Sequence, residues 1–255
     1  MKFKVLLSIL AFVLIGSLCT ASTQEETTII APSSEVGDNL DLMAVSDLFK
    51  ESATLEDFEK ALNDQNRGIN NLDLDEDGNV DFIRVLEEVS DDTHMIILQV
   101  PLGEDEYQDV AAIEIEKSGN EAYNVQVHGN EVIYGANYYV IPQYTRIYSW
   151  PIFTWMYRPG YRPYRSVYYY RNYPTWWRPW KPVTIKVYRT RTVRVVNRTN
   201  FKVTRVSHVR TVSKVNYKHR TSTRVVKSTK IKTRKATVKK TTKKPTTKTK
   251  KKKKK

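Results

Sequence analysis

Between residues 40 and 62 the apolar positions recur at helical intervals. Leu42, Val45 and Phe49 make one stripe, and Leu55, Phe58 and Leu62 make another. Each has the spacing of a helix with one buried side. Thr54, followed by Asp57, approximates a capping box and places a helix start near Leu55. Gly68 supplies a left-handed stop beyond its end. Downstream the period changes to two. "LDL" (72–74), "VDFIRVL" (80–86), "HMIILQV" (94–100), "AIEIEK" (112–117) and "YNVQVHG" (123–129) are strand-like. The clearest alternation sets Ala111, Ile113 and Ile115 against Ala112, Glu114 and Glu116. Tyr123, Val125 and Val127 answer it across a Ser118-Gly119-Asn120 turn. Consecutive strands with short turns predict an antiparallel meander, with two helices covering its buried face. Residues 40–135 therefore read as one small α+β domain.

The pattern then breaks down. Residues 136–180 are rich in Tyr, Trp, Arg and Pro and hold all five tryptophans. Repeated proline opposes a long helix or a central strand. Residues 181–255 are mostly Lys, Arg, Thr and Val and end in a lysine run. Val203, Val206, Val209, Val212 and Val215 keep a three-residue spacing. That spacing precesses around an α-helix and does not match a strand. With so much like charge, the expectation is a long aromatic and basic C-terminal region that is largely disordered.

Charge sharpens this division. All 28 acidic residues lie between Glu25 and Glu131, whereas 35 of the 42 Lys and Arg residues lie in 132–255. The formal net charge of +14 hides two regions of opposite sign. At the other end, Lys2 and Lys4 precede an apolar run over residues 5–15, and Cys19-Thr20-Ala21 offers a small-x-Ala cleavage site. Residues 1–21 thus read as a signal peptide, too short in its apolar part for a spanning helix. Residues 22–39 read as a flexible leader. Lipidation of Cys19, the single cysteine, is the alternative to cleavage. The expected location is periplasmic, secreted or at the cell surface.

One stretch carries recognisable chemistry, "NLDLDEDGNVDFIRV" at 71–85. Hard cations such as Ca²⁺ take several oxygen ligands, which alternate residues of a tight loop can supply around a turn-forming glycine. Counted from Asp73, Asp75 and Asp77 follow at alternate positions, then Gly78, with Asp81 ninth. This resembles the start of an EF-hand, but Arg84 stands where the twelfth-position Glu belongs. Its strand-like flanks make it more similar to the calcium loops of FG-GAP and VCBS repeats. That resemblance implies side-chain ligands from Asp73, Asp75, Asp77 and Asp81, and the Asn79 backbone carbonyl. Only one copy occurs, so no propeller is implied. The alternative is a plain hairpin with Asp77-Gly78 at its turn. The stretch 55–135 also resembles a family of secreted proteins of Gram-negative bacteria, which implies location and domain limits but no activity.

Other candidates for catalysis are sparse. No G-x-S-x-G, H-E-x-x-H or P-loop pattern occurs. His94 follows Asp91-Asp92 in an expected turn and His128 ends a strand; both read as surface side chains. Glu104-Asp105-Glu106 reads as a solvated loop. No catalytic residue and no small-molecule substrate are expected. The basic region must attract polyanions, with Arg158, Arg162, Arg165, Trp176, Trp177, Arg178 and Trp180 as the expected contacts. Arg forks onto phosphate, and flat rings stack on bases or sugars. The expected partners are lipopolysaccharide, anionic lipid or acidic polysaccharide. A nucleic-acid-binding protein with a histone-like tail is the alternative, and a hydrolase a more distant one. Self-association through the two opposed charges is a further expectation.

Overall fold

A computed structural model describes residues 34–230. The signal segment, Cys19, most of the leader and the final lysine-rich stretch lie outside the described residues. The sheet contains six strands: β1 (Arg84–Ser90), β2 (Thr93–Pro101), β3 (Tyr107–Lys117), β4 (Tyr123–Gly129), β5 (Tyr138–Pro142) and β6 (Phe201–Thr204). They lie in sequence order and every neighbouring pair is antiparallel. The helices are α1 (Leu42–Glu51), α2 (Leu55–Leu62), α3 (Glu131–Tyr134), α4 (Pro151–Met156), α5 (Ile185–Val195) and α6 over 223–230. The chain is thus α+β.

α2 starts where the sequence predicts. Thr54 Oγ1 accepts the Asp57 N–H at 3.0 Å and donates to Asp57 Oδ2 at 2.8 Å, satisfying an otherwise orphaned donor. α1 is capped likewise, with Asp41 accepting the Met43 N–H. Their apolar stripes, with Phe49 and Phe58 edge-on at 5.4 Å, bury against one face of the sheet. That face carries Val85, Ile96, Leu98, Ile113, Ile115, Val125 and Val127. Residues beyond 135 complete the same core: Val140, Trp150, Ile152, Phe153, Met156, Phe201 and Val225 are all buried in it. At the other end Val36 and Leu40 are also buried in it. Two helices alone leave part of the apolar face uncovered. Removing it from water, at roughly 25 cal/mol per Å², favours closure by α4 and the aromatic segment.

The opposite face departs further from expectation. Gln99, Asp109, Glu114 and Gln126 are almost wholly buried, although strand alternation places them where solvent is expected. Residues 205–222 lie across them and supply partners to Gln99, Asp109 and Gln126, while Glu114 bonds to Gln126 and His128 within the sheet. Gln126 Nε2 donates to Ser207 Oγ at 2.8 Å, and its Oε1 accepts the backbone N–H of His208. Asp109 Oδ2 accepts the Arg220 N–H at 2.8 Å, and Gln108 Oε1 accepts that of Ser222 at 2.9 Å. Val215 completes a small apolar cluster with Leu86, Met95, Ile97 and Ala112. Buried polar groups demand partners, and the strap and the sheet together provide them.

The expectation of a largely disordered C-terminal region is therefore corrected over 136–230. The cations of this region find acidic partners within the same chain. Arg165 pairs with Glu88, Arg189 with Asp38, Arg198 with Asp41 and Arg224 with Glu106. Each such surface pair contributes little, but together they remove the repulsion on which the expectation rested. The described body holds 26 Lys and Arg against 26 Asp and Glu. Its formal charge is zero, and residues 231–255 alone carry +14.

Candidate functional site

The acidic loop is built from its own backbone. Glu76 and Gly78 take left-handed conformations, at φ 60° and 80°. The loop closes on Asp81, whose N–H donates to the Leu72 carbonyl at 2.8 Å and whose Oδ2 accepts the Leu74 N–H. Residues 72–74 and 80–83 are not strands, which corrects the expectation of strand flanks and of a simple hairpin. Side-chain bonds compete here with a ladder. Asp73 accepts the Gly78 N–H at 3.1 Å, Asp75 the Asp77 N–H at 3.1 Å, and Asp77 the Asn79 N–H at 2.7 Å.

These turns gather three carboxylates. Oxygens of Asp73, Asp75 and Asp77 lie within 4.8 Å of one another, a cluster that could hold a metal ion. Asp73 Oδ1 is buried without a hydrogen-bond partner. Burial, then the charges of Asp75 and Asp77, raise the Asp73 carboxyl above its usual range. Asp81 is raised further, first by burial. It does not join the three, because its carboxylate is turned to Leu74. The Asn79 amide donates to Asp77 Oδ2 at 3.2 Å. Arg84 points away, sharing Gln99 Oε1 and stacking 4.3 Å over the Tyr107 ring.

The aromatic segment grips this loop. Val80 N–H donates to the Trp180 carbonyl at 2.7 Å. Asn71 makes a two-way bond with the Val183 backbone, at 2.8 and 2.9 Å. Phe82 is ringed by Tyr168, Tyr173, Trp176 and Trp177 at 5.4–6.3 Å between centroids. The Lys181 ammonium hangs over the turn, 3.7 Å from where a β-carbon on Gly78 would stand.

The expected polyanion contacts are dispersed. Trp177 is buried under Phe82, and Arg165 is paired with Glu88. Arg158 is exposed and lies against the Trp155 and Tyr161 rings. Arg162 is exposed. Trp176, Trp177, Arg178 and Trp180 are brought together along a cleft of about 560 Å³ beside the end of α2.

A buried network escaped the sequence reading. Glu87 is fully enclosed, with His94 Nδ1 at 2.6 Å and the Tyr164 N–H donating at 2.8 Å. The Tyr161 hydroxyl donates to it as well. His94 is therefore a core residue, which corrects its placement in a surface turn. Nearby, Glu59 Oε2 accepts the Val85 N–H at 2.6 Å, and burial pushes the Glu59 carboxyl up to about 7. A signal was present: Glu59 falls in phase with Leu55 and Leu62, and Glu87 in phase with Val85, so both sit on apolar stripes.

No helix among the described residues is long and apolar enough to cross a membrane. Comparison of the chain with protein-family models, with curated proteins and with solved structures finds no match, so neither resemblance gains support from relatives.

Proposed function

We propose that this is an exported, non-enzymatic protein that adheres to anionic polymers of the cell envelope through its lysine-rich end. One observation carries the reading. The body from 34 to 230 is formally neutral, so the entire +14 resides in 231–255. A concentrated cationic stretch next to a neutral body binds polyanions by releasing their counterions, which makes the affinity fall steeply with salt. The class of partner is lipopolysaccharide, anionic lipid or acidic polysaccharide, and the setting is the periplasm or cell surface. The finer reading of the acidic loop, that Asp73, Asp75 and Asp77 hold Ca²⁺, belongs to the same proposal. Their all-oxygen donor set and the partnerless Asp73 Oδ1 favour a hard cation.

The test compares the full chain with one ending at residue 230, on immobilised lipopolysaccharide and on vesicles containing anionic lipid. The full chain should be retained at low salt and released at high salt, and the shortened chain should not be retained. Equal retention of both would overturn the reading. Recovery of the protein in a cytoplasmic fraction, bound to DNA, would instead support the nucleic-acid alternative.

A further inference from the structure

The cleft beside α2 combines aromatic, amide and charged side chains. Part of its lining is aromatic: Trp176, 43% exposed, with Trp177 and Trp180. The rest is the polar side of α2, with Asp57 and Lys60, and the turn after it, with Asp64, Gln65, Asn66 and Arg67. The floor is rigid. Asn63 spends both ends of its amide on the Ile83 backbone, at 2.7 and 2.8 Å, and Trp177 packs edge-on to Phe82 at 5.4 Å. Arg178 is pinned at the wall by two bonds from Nη1 to the Thr175 and Trp177 carbonyls. Lys60 Nζ lies 5.8 Å from the Trp176 ring centre. That ammonium lies over the ring itself, so a ligand stacked there displaces it to the ligand's own rim.

We propose that this cleft is a subsite for one acidic pyranose unit of a polysaccharide. A sugar ring presents a flat C–H face and a rim of hydroxyls. Trp176 supplies the surface for the first, in the way aromatic rings serve as stacking platforms. The amides of Gln65 and Asn66 and the carboxylates of Asp57 and Asp64 supply donors and acceptors for the second. Lys60 and Arg178 line the cleft, with Arg67 shared with the exposed Glu51 carboxylate at 3.9 Å, and these cations select a sugar that carries an anionic group. A nucleotide can stack on the same ring, and the oligonucleotide arm of the test below separates the two. The inference deepens the envelope-polymer reading, since it names acidic polysaccharide among the partners and gives it a site. It acts through a different part of the chain, so the two can fail separately.

The experiment titrates the full chain with an oligouronate of a few units, a neutral oligohexose of equal length and a short single-stranded oligonucleotide. Tryptophan emission and calorimetry are followed at low and high salt. The oligouronate should bind saturably and shift the emission, and the neutral sugar should bind more weakly. Deleting 231–255 should leave that binding intact. Trp176→Ala should weaken it by about tenfold or more, with only a small fall in the melting transition. Arg178→Gln should weaken the oligouronate selectively, and it serves as the test should Trp176→Ala unfold the chain. Absence of saturable oligouronate binding would overturn the subsite. So would binding untouched by both variants, binding lost with residues 231–255, or an oligonucleotide that binds better and depends on Trp176.

Discussion

Val80 and Trp180 are joined by a backbone hydrogen bond of 2.7 Å. It ties the acidic loop to the segment that sequence composition sets apart from the domain. The same segment covers the free edge of β1, where Glu87 N–H donates to the Tyr164 carbonyl and Ser166 N–H to that of Val85. An uncovered edge strand invites pairing with another chain. Core residues lie on both sides of residue 135, so a fragment ending there loses Trp150, Ile152, Phe153 and Phe201 together. Such a fragment should lack a cooperative melting transition and should aggregate, whereas the chain ending at 230 should melt cooperatively. Circular dichroism during a thermal ramp distinguishes them, and a stable 40–135 fragment would show that the aromatic segment is dispensable.

Phe82 is where the aromatic segment is anchored. It is buried and touches four rings, two of them tryptophans. Phe82→Ala opens a cavity beneath them, and losses of this kind cost about 3–5 kcal/mol. Trp176→Ala, at the exposed rim of the same cluster, should cost far less. Urea denaturation measures both. Equal costs would mean that the rings pack on each other and not on Phe82.

The elements with strong periodicity were legible in the sequence. α1 and α2 follow their stripes, and Thr54 marks the start of α2 as its side chain predicts. The meander from β1 to β4 follows the period-two pattern. The polar phase of β3, with Glu114 in it, suggests a wet face, yet Glu114 is buried. Alternation reports that a face is polar and not whether it is covered. The covering strap has no period of its own, because residues 205–222 are held by side chains of other strands. Part of the three-residue valine spacing acquires a meaning there. Val212 and Val215 span a 3₁₀ turn, with the Val215 N–H on the Val212 carbonyl at 3.1 Å, and three residues complete one turn of that helix. For the site, the D-x-D-x-D spacing located the three clustered carboxylates, but it could not show that Asp81 serves the backbone of Leu74 instead.

Lys181 bears on whether the loop takes a cation. Its ammonium stands over Gly78, at the turn of the loop that carries Asp73, Asp75 and Asp77, so its charge opposes an ion held there. Removing one nearby charge changes the energy of a second by about 1 kcal/mol in a wet site. Lys181→Ala should therefore tighten Ca²⁺ binding by about fivefold. Calorimetric titration of the full chain and the variant checks this. If neither releases heat with millimolar-range Ca²⁺ nor gains thermal stability, the carboxylates serve only the turn.

Glu59 gives the fold a pH dependence whose sign is fixed by its burial. The carboxyl has an ordinary value of 4.5 and rises to about 7 in the folded chain, because burial outweighs the bonds from Val85, Ser166 and Tyr164. The folded state therefore holds an extra proton between those two values. This stabilising contribution is complete below 4.5 and declines as pH rises toward 7. Above that it is constant, after a total loss of about 3 kcal/mol. Glu59→Gln keeps an oxygen for the Val85 N–H and cannot ionise. The Tyr164 hydroxyl, 3.4 Å from Oε1, can turn to accept from the new amide. Urea titrations of both chains at pH 5 and pH 8 isolate the effect, since all other groups cancel in the difference. The variant should gain on the native chain as pH rises, and become the more stable of the two at pH 8. A difference that stays constant across that range would mean that Glu59 ionises in the fold as freely as in water, and that its enclosure is not what raises it.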